Sequence, residues 1–569
     1  MTATDPQQRN VYDQNIGQYF SWICHSKASG CPCWAQAAMK ALSIFLPWVQ
    51  LEDARVETAV KYTIALVQNA AVAVSSSSGS NGQNNTDSPT SRVIDQAITG
   101  FSQLCSRCAR TLATPSALEW MLSSLDARSV MTLSTSSRVR LTEALCGVIA
   151  RSESTAIARQ CVEKVLSITL QRLAAHAANS FAEDGRIDTA ALGEVAADFC
   201  VVSAALTRMQ YVKPTSIEER RLVSIMTETV WPILVRVGTC IGNIADPAIR
   251  ATVAATDALP SLCQLSSVVV RTNGGQIDQY FSANNIVSLL GMMGQIFVVY
   301  RHPNTLQPLG VVVSFFGSQP QWFEPLLTSL TSVINSVNGS GGGGSSGSGG
   351  SGGSGGSSAA AATLDDPELT SATMTLIQQY TTRCPATLKH GTVIGLLLGF
   401  SIQALASSQV ETSTAAVRYF ALLAHTSRRQ SLLLPTSHTN GVATLSTCVV
   451  AQGKPLLHAL LHGIGHRLPL DCVRRAVDTL ALWNAPFRQE FVAWTNQIIS
   501  DASFVSVTKL DLKGRNSFVL GLSTLGDAWS GSGEQTGCVD ARVMEEYRQL
   551  VFTFAGQCRG ESIQTVESS

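Results

Sequence analysis

The sequence is poor in charge and in aromatic rings. Asp, Glu, Lys and Arg make up only 14% of its 569 residues, and Phe, Trp and Tyr only 6%; charged residues usually supply about 25% of a globular chain. Forty basic side chains balance forty acidic ones. No basic excess is left to neutralise phosphates, which argues against nucleic acid as a partner. No block of like charge marks an acidic or basic tail. A long apolar run is missing as well. The longest, Thr392 to Ala406, is interrupted by Gly395, Gly399, Ser401 and Gln403, short of the roughly 20 apolar residues of a membrane span. Met1 to Gly17 is polar, without the apolar centre of a secretory signal. These absences predict a soluble, intracellular chain that does not engage a membrane. The 15 cysteines are odd in number and scattered. Cys146, Cys161, Cys200, Cys240, Cys263 and Cys472 sit in apolar or helical surroundings and read as reduced core thiols.

What the chain does have is aliphatic content at helical spacing. Hydrophobic residues reach 45%, and the length exceeds what one core usually serves, leaving several domains or one repeat array. Two segments carry no apolar side chains to bury. One is Ser75 to Arg92; the other runs from Asn338 to Ser358 as nearly pure Gly and Ser and continues into an Ala run to Ala362. The sequons at Asn84 and Asn338 fall in these linkers and read as chance matches.

Elsewhere helix signals recur. Asp366 can cap, Pro367 suits a first helical turn, and Leu369, Thr373, Leu376, Ile377 and Tyr380 share one face. Cys384-Pro385 ends that helix, and a second runs from about Leu388 to Leu405. Ser216 and Glu219 form a capping box before Leu222, Ile225, Met226, Val230 and Ile233. Asp246-Pro247 opens another helix, and Pro455 opens one through Ile464. Val473, Ala476, Val477 and Leu480 form the next face, and Phe487 to Ile499 the helix after it. GVVVSFFG, Gly310 to Gly317, has strand composition, but its helical neighbours make it a helix interior.

Helix, turn, helix at intervals of about 40 residues predicts HEAT- or armadillo-like hairpins. A single hairpin cannot cover both of its apolar flanks. Stacked hairpins can, and the result is an all-α solenoid, a curved superhelix with a concave binding surface. The expected organisation is a poorly ordered lead-in over 1–33, then repeats over 34–337 interrupted by a disordered loop at 75–92. A flexible linker over 338–362, repeats over 363–560 and a disordered tail over 561–569 complete it.

Candidate chemistry is sparse. Cys105 and Cys108 form a C-x-x-C without the second pair or strand-to-helix turn that a zinc or redox site needs, and read as core packing. Cys24, His25, Cys31 and Cys33 form the densest set of metal-ligand types, at a spacing of no common zinc module. His458, His462 and His466 fall at i, i+4 and i+8, but no Glu follows His458 to make H-E-x-x-H, and the nearby glycines end the helix before His466. They read as a solvated or interhelical stripe. No phosphate-binding G-x-x-x-x-G-K-[ST] is present. The basic pairs Arg428-Arg429, in a loop after a helix, and Arg474-Arg475, on a helix, read as solvated surface or as contacts to an acidic partner. The reading is a binding protein, not an enzyme; no catalytic, cofactor or metal residue is nominated.

Several segments together resemble one family. DDPELTSATMTLIQQYTTRCPATLKHGTVIGLLLGFSIQAL, Asp365 to Leu405, has an acidic-Pro opening, a long helix, then a Pro before an apolar helix. The run from Gly453 to Ile499, EEYRQLVFTFAGQCRG from Glu545 to Gly560, Ser318 to Ile334, Leu104 to Pro115 and the WVQLEDARVETAVKYTIALV region follow collinearly. This pattern resembles the C-terminal half of the importin-thirteen and transportin-SR branch of the importin-β superfamily, the karyopherins. The resemblance implies a receptor for protein cargo in nucleocytoplasmic transport, with Ran in its GTP form and nucleoporins as further partners, shuttling between cytoplasm and nucleus. The family places its principal Ran contacts in an N-terminal arch that this stretch does not resemble. The transportin-SR type reads phosphorylated Arg-Ser cargo with an Arg-rich helix; the matching stretch, Pro247 to Val270, has one arginine, Arg250. The competing reading is a HEAT scaffold unrelated to Ran.

Overall fold

A computed structural model describes residues 53–77, 89–125, 130–182, 185–209, 217–273, 282–338, 366–407, 409–429, 445–484, 488–501, 504, 509–531 and 541–560. The described residues are overwhelmingly α-helical, with 3-10 turns between helices and one isolated antiparallel bridge, Phe181 to Ile187. At that bridge Gly185 takes φ +85°, and a Cβ there would lie 2.6 Å from the Asn243 carbonyl oxygen, so a side chain is excluded by both conformation and space. The chain divides into two compact units, Met1–Leu289 and Leu290–Ser569.

The first unit holds α1 (Asp53–Ser77), α2 (Pro89–Arg107), a short turn at Ala109–Leu112, α3 (Pro115–Ser124), α4 (Thr135–Ile149) and α5 (Thr155–Asn179). It continues with α6 (Leu192–Met209), α7 (Ile217–Gly242), α8 (Pro247–Ala255) and α9 (Ala258–Thr272). Its packing skips along the chain. One row runs α2, α4, α6, α9; a second runs α3, α5, α7. Along each row a helix lies against the next member of its row, and neighbours such as α1 and α2 or α5 and α6 also touch, the arrangement of a two-layer repeat stack. Local signals set the starts. Ser134 accepts from the Ser137 amide at 3.3 Å, Ser154 from the Ile157 amide at 3.4 Å, and Asp246 from the Ala248 amide at 2.8 Å. On α9, Leu262, Leu265, Val269 and Val270 are fully buried, each burial worth roughly 1.5–3 kcal/mol of transfer free energy.

Helix α10 (Ala283–Tyr300) carries the division between the units. The second unit then holds α11 (Leu306–Phe316), α12 (Phe323–Val337), α13 (Pro367–Arg383), α14 (Gly391–Ala406) and α15 (Val410–Arg429). After these come α16 (Leu445–His462), α17 (Leu470–Asn484), α18 (Arg488–Ser500), α19 (Leu512–Gly531) and α20 (Ala541–Arg559). Again two rows form, α11–α13–α15–α17–α20 and α12–α14–α16–α18–α19. Asp366 caps α13 by accepting from the Glu368 and Leu369 amides, both at 3.0 Å. Leu369, Thr373, Leu376, Ile377 and Tyr380 all face inward, as their spacing predicts. GVVVSFFG is helical, within and just beyond α11.

Several expectations need correction. The helices on either side of the Gly/Ser tract pack on one another. Helices α11 and α12 precede it and pack against α13 and α14 beyond it, and the Tyr380 hydroxyl donates to the Leu326 carbonyl at 3.0 Å across it. The tract interrupts the stack's sequence and not its packing. The expected loop at 75–92 is shorter, since α1 continues to Ser77 and α2 begins at Pro89. Pro455 lies inside α16, ten residues after its start at Leu445. Burial of Val449 before the proline and of Leu456, Leu457 and Leu460 after it holds both halves on one line, which outweighs the lost amide donor. Pro232 sits inside α7 in the same way. The helix expected from Leu388 starts at Gly391, behind a 3-10 turn over Pro385–Lys389. Arg428 and Arg429 end α15 and do not follow it as a loop.

Two described helical segments, Thr189–Met209 and Ala283–Tyr300, are long and apolar enough to cross a membrane, although no unbroken apolar run marks them in the sequence. The first has 72% of its apolar window buried within the fold and carries Asp198 in ion pairs at its centre. Its hydropathy serves helix packing. The lead-in 1–33, Ser216, residues 339–365 and the tail 561–569 lie outside the described residues.

Candidate protein-interaction site

Among the described residues no group of three or more His, Cys, Asp or Glu side chains can hold an ion. Cys105 is buried on α2, and its thiol is pushed up, first by burial and then by the neighbouring Cys108. Cys108 sits half-buried just after α2 ends. A thiol held neutral is neither nucleophile nor ligand. The same holds at Cys146, which burial raises to about 12 against a smaller opposing pull from Arg208, and at Cys263, raised by burial alone. Cys161 and Cys472 are buried free thiols and Cys200 is half-buried, which matches a packing role. Cys24, His25, Cys31 and Cys33 lie outside the described residues.

The histidine stripe forms as a ring stack. α16 ends at His462, and a π-turn over Gly463–Arg467 carries His466 onward. His458 and His462 stack at 6.1 Å between centroids, His462 meets His466 edge-on at 5.8 Å, and Phe504 lies edge-on to the first two at 6.2 and 6.5 Å. His458 and His466 are exposed. The stripe is an interhelical aromatic contact at the surface.

The charged groups that the fold buries are structural. Asp198, fully buried on α6, accepts from Arg138 Nη1 of α4 at 3.0 Å and from Arg172 Nε of α5 at 2.7 Å, with a further bond to Arg172 Nη2. This hub ties the two rows of the first unit together. Arg250, the single arginine on the Pro247–Val270 stretch, donates from Nη2 to the Ala245 carbonyl at 2.9 Å and so closes its own helix start. That stretch is two helices, α8 and α9, bent 66° apart.

Exposed cations remain as the material for partner contacts. Arg474 and Arg475 stand exposed on α17, as their sequence position suggests. The side chains of Arg428 and Arg429 are outside the described residues. The sequence gives no hint of a third group. Arg151 and Arg208 lie far along the chain from Arg107 and Arg110, yet the first unit gathers all four around one cleft of about 720 Å³. Only the skip-one packing of α2, α4 and α6 brings them together.

No protein-family model matches the sequence, and no curated protein matches it. Solved structures do. The structure of importin-13 in its cytosolic state aligns over 96% of this chain and 52% of its own, at 13% identity and a TM-score of 0.61. A crystal structure of importin beta aligns over 96% of this chain and 60% of its own, at 11% identity and a TM-score of 0.46. One of Kap121p aligns over 96% and 59%, at 11% and 0.31. Only the first is close enough to support the fold, and the chain spans about half of that importin-13. The two rows within each unit, together with this alignment over nearly the whole chain, show that the protein has an all-α solenoid fold similar to that of importin-13.

Proposed function

We propose that this chain acts as a nuclear transport receptor, or as the C-terminal half of one. It holds protein cargo on the inner surface of its helical stack and shuttles between cytoplasm and nucleus. It is a binding protein and performs no catalysis. The observation that supports this reading is the alignment with importin-13 over 96% of the chain, at 13% identity. The charge balance, forty acidic against forty basic side chains, fits protein partners better than nucleic acid.

Release and capture of cargo would follow differential affinity. Ran in its GTP form favours one state of the receptor, cargo favours the other, and each lowers the affinity for its rival by the same factor. Nucleoporins would be contacted during passage. Ran contacts reside in the family's N-terminal arch, so the longer receptor would supply them if this chain is one half.

The test is capture of Ran locked in its GTP or GDP form by the purified chain, alone and beside any longer product of the same gene. A transport receptor retains the GTP form preferentially. Equal retention of both forms, or of neither, by the longest product would leave a helical-repeat scaffold and end the transport reading.

A further inference from the structure

The cleft of the first unit has a floor and rim built from three helix ends. Arg107 closes α2, Arg110 lies on the turn Ala109–Leu112, Arg151 follows the end of α4, and Arg208 stands in the last turn of α6. Four guanidinium groups line it against a single carboxylate, Glu143. Glu143 is already engaged, 3.5 Å from Arg208. An ordinary reading of arginines at helix C-termini is that they satisfy the last carbonyls and the dipole. The geometry does not use these heads that way: Arg110 and Arg151 are exposed, and neither makes an ion pair or a side-chain hydrogen bond among the described residues. In a chain with no net charge, Arg110 and Arg151 give the cleft a local positive field.

We infer that this cleft binds an acidic segment of a protein partner, a run of Asp and Glu carboxylates. The planar fork of arginine pairs with carboxylates through two parallel charge-assisted bonds, and the exposed forks of Arg110 and Arg151 on one cleft match successive carboxylates of an acidic run. Glu143 supplies the cleft's own precedent, a carboxylate already held by Arg208. Single-stranded nucleic acid would be the other polyanion, but it needs aromatic faces for its bases to stack on, and no aromatic side chain lines the cleft. A lone inorganic anion would fill only a small part of about 720 Å³. The site does not depend on the transport reading: a scaffold unrelated to Ran could carry it equally.

The experiment measures fluorescence anisotropy of labelled oligoglutamate on the full chain at physiological salt. Oligoglutamine of equal length and oligothymidylate of equal charge serve as comparison probes. Oligoglutamate should bind saturably, oligoglutamine should not bind, and oligothymidylate should bind more weakly. The double variant Arg110→Gln/Arg151→Gln should raise Kd by about tenfold or more, the scale of losing two charge-assisted contacts. The control pair Arg474→Gln/Arg475→Gln, exposed on the second unit, should stay within about twofold. Photo-crosslinks from a benzophenone-bearing oligoglutamate on the unmodified chain give a readout independent of mutant folding, and should fall on 102–111, 143–151 or 208. Unaltered affinity in the cleft variant, tighter binding of oligothymidylate, absence of saturable binding, or crosslinks elsewhere would each overturn the inference. Loss of Ran discrimination with cleft binding intact would remove the transport reading alone.

Discussion

The two units share one packing rule and differ in what locks it. In the first, a buried carboxylate does the work: Asp198 joins α4, α5 and α6 through two arginines, with Arg138 itself nearly buried. In the second, the locks are neutral or half-exposed. Phe518 stacks on Phe554 at 4.0 Å, Tyr380 donates to a carbonyl of α12, and Arg559 donates to the Ile464 carbonyl at 2.8 Å and the Leu468 carbonyl at 2.6 Å. Its ion pair between Arg548 and Asp478, 2.9 Å, leaves both side chains 23% and 31% exposed. The comparison teaches where a repeat stack is brittle. A buried charge that loses its partner cannot be re-solvated, whereas a half-exposed one can.

The largest expected effect is therefore at Asp198. Asp198→Ala strands Arg138 in the interior and should destabilise the chain by roughly 3–5 kcal/mol, read as a lowered urea midpoint; an unchanged midpoint would show that the hub is not a lock. Next comes Tyr380→Phe, which deletes one buried hydrogen bond across the Gly/Ser tract and should cost about 1 kcal/mol by the same measurement. Smaller again is Asp478→Ala. Its partner Arg548 remains hydrated and keeps Glu545 at 3.3 Å, so a loss below about 1 kcal/mol is expected. A loss equal to that at Asp198 would erase the contrast between the units.

The smallest effect is one of pH. Burial holds the His302 imidazole below its ordinary value, against smaller opposing pulls from Asp366 and Glu368. A lowered folded value means that the unfolded chain takes up this proton first. Stability from this group is complete above pH 6.5 and declines as pH falls from there through the folded value. His302→Gln should flatten that part of the Tm–pH curve slightly; a steeper decline in the variant would reverse the assignment.

Much of this architecture was legible because its determinants are local. Asp366-Pro367 and Asp246-Pro247 announce helix starts by cap chemistry, and the burial of Leu369, Leu376, Ile377 and Tyr380 follows from period alone. What failed depended on packing. Pro455 reads as a start because a proline removes a donor, but core contacts on both sides carry α16 through it. The Gly/Ser tract reads as a flexible linker, and composition does not reveal that Tyr380 reaches Leu326 across it. The arginine cleft was illegible for the same reason: Arg151 and Arg208 join Arg107 and Arg110 only after α2, α4 and α6 stack. The histidine stripe was legible in its spacing and in the end of the α-helix before His466; the π-turn that carries His466 onward was not.

Within the second unit, helices on either side of the Gly/Ser tract adjoin in one stack. Placing a specific protease site in that tract and cutting there tests this directly. If α11 and α12 pack on α13 and α14, the two fragments will travel as one species on gel filtration and unfold close to the uncut chain. Fragments that separate under native conditions, each folded alone, would contradict the continuous stack and the receptor surface built on it.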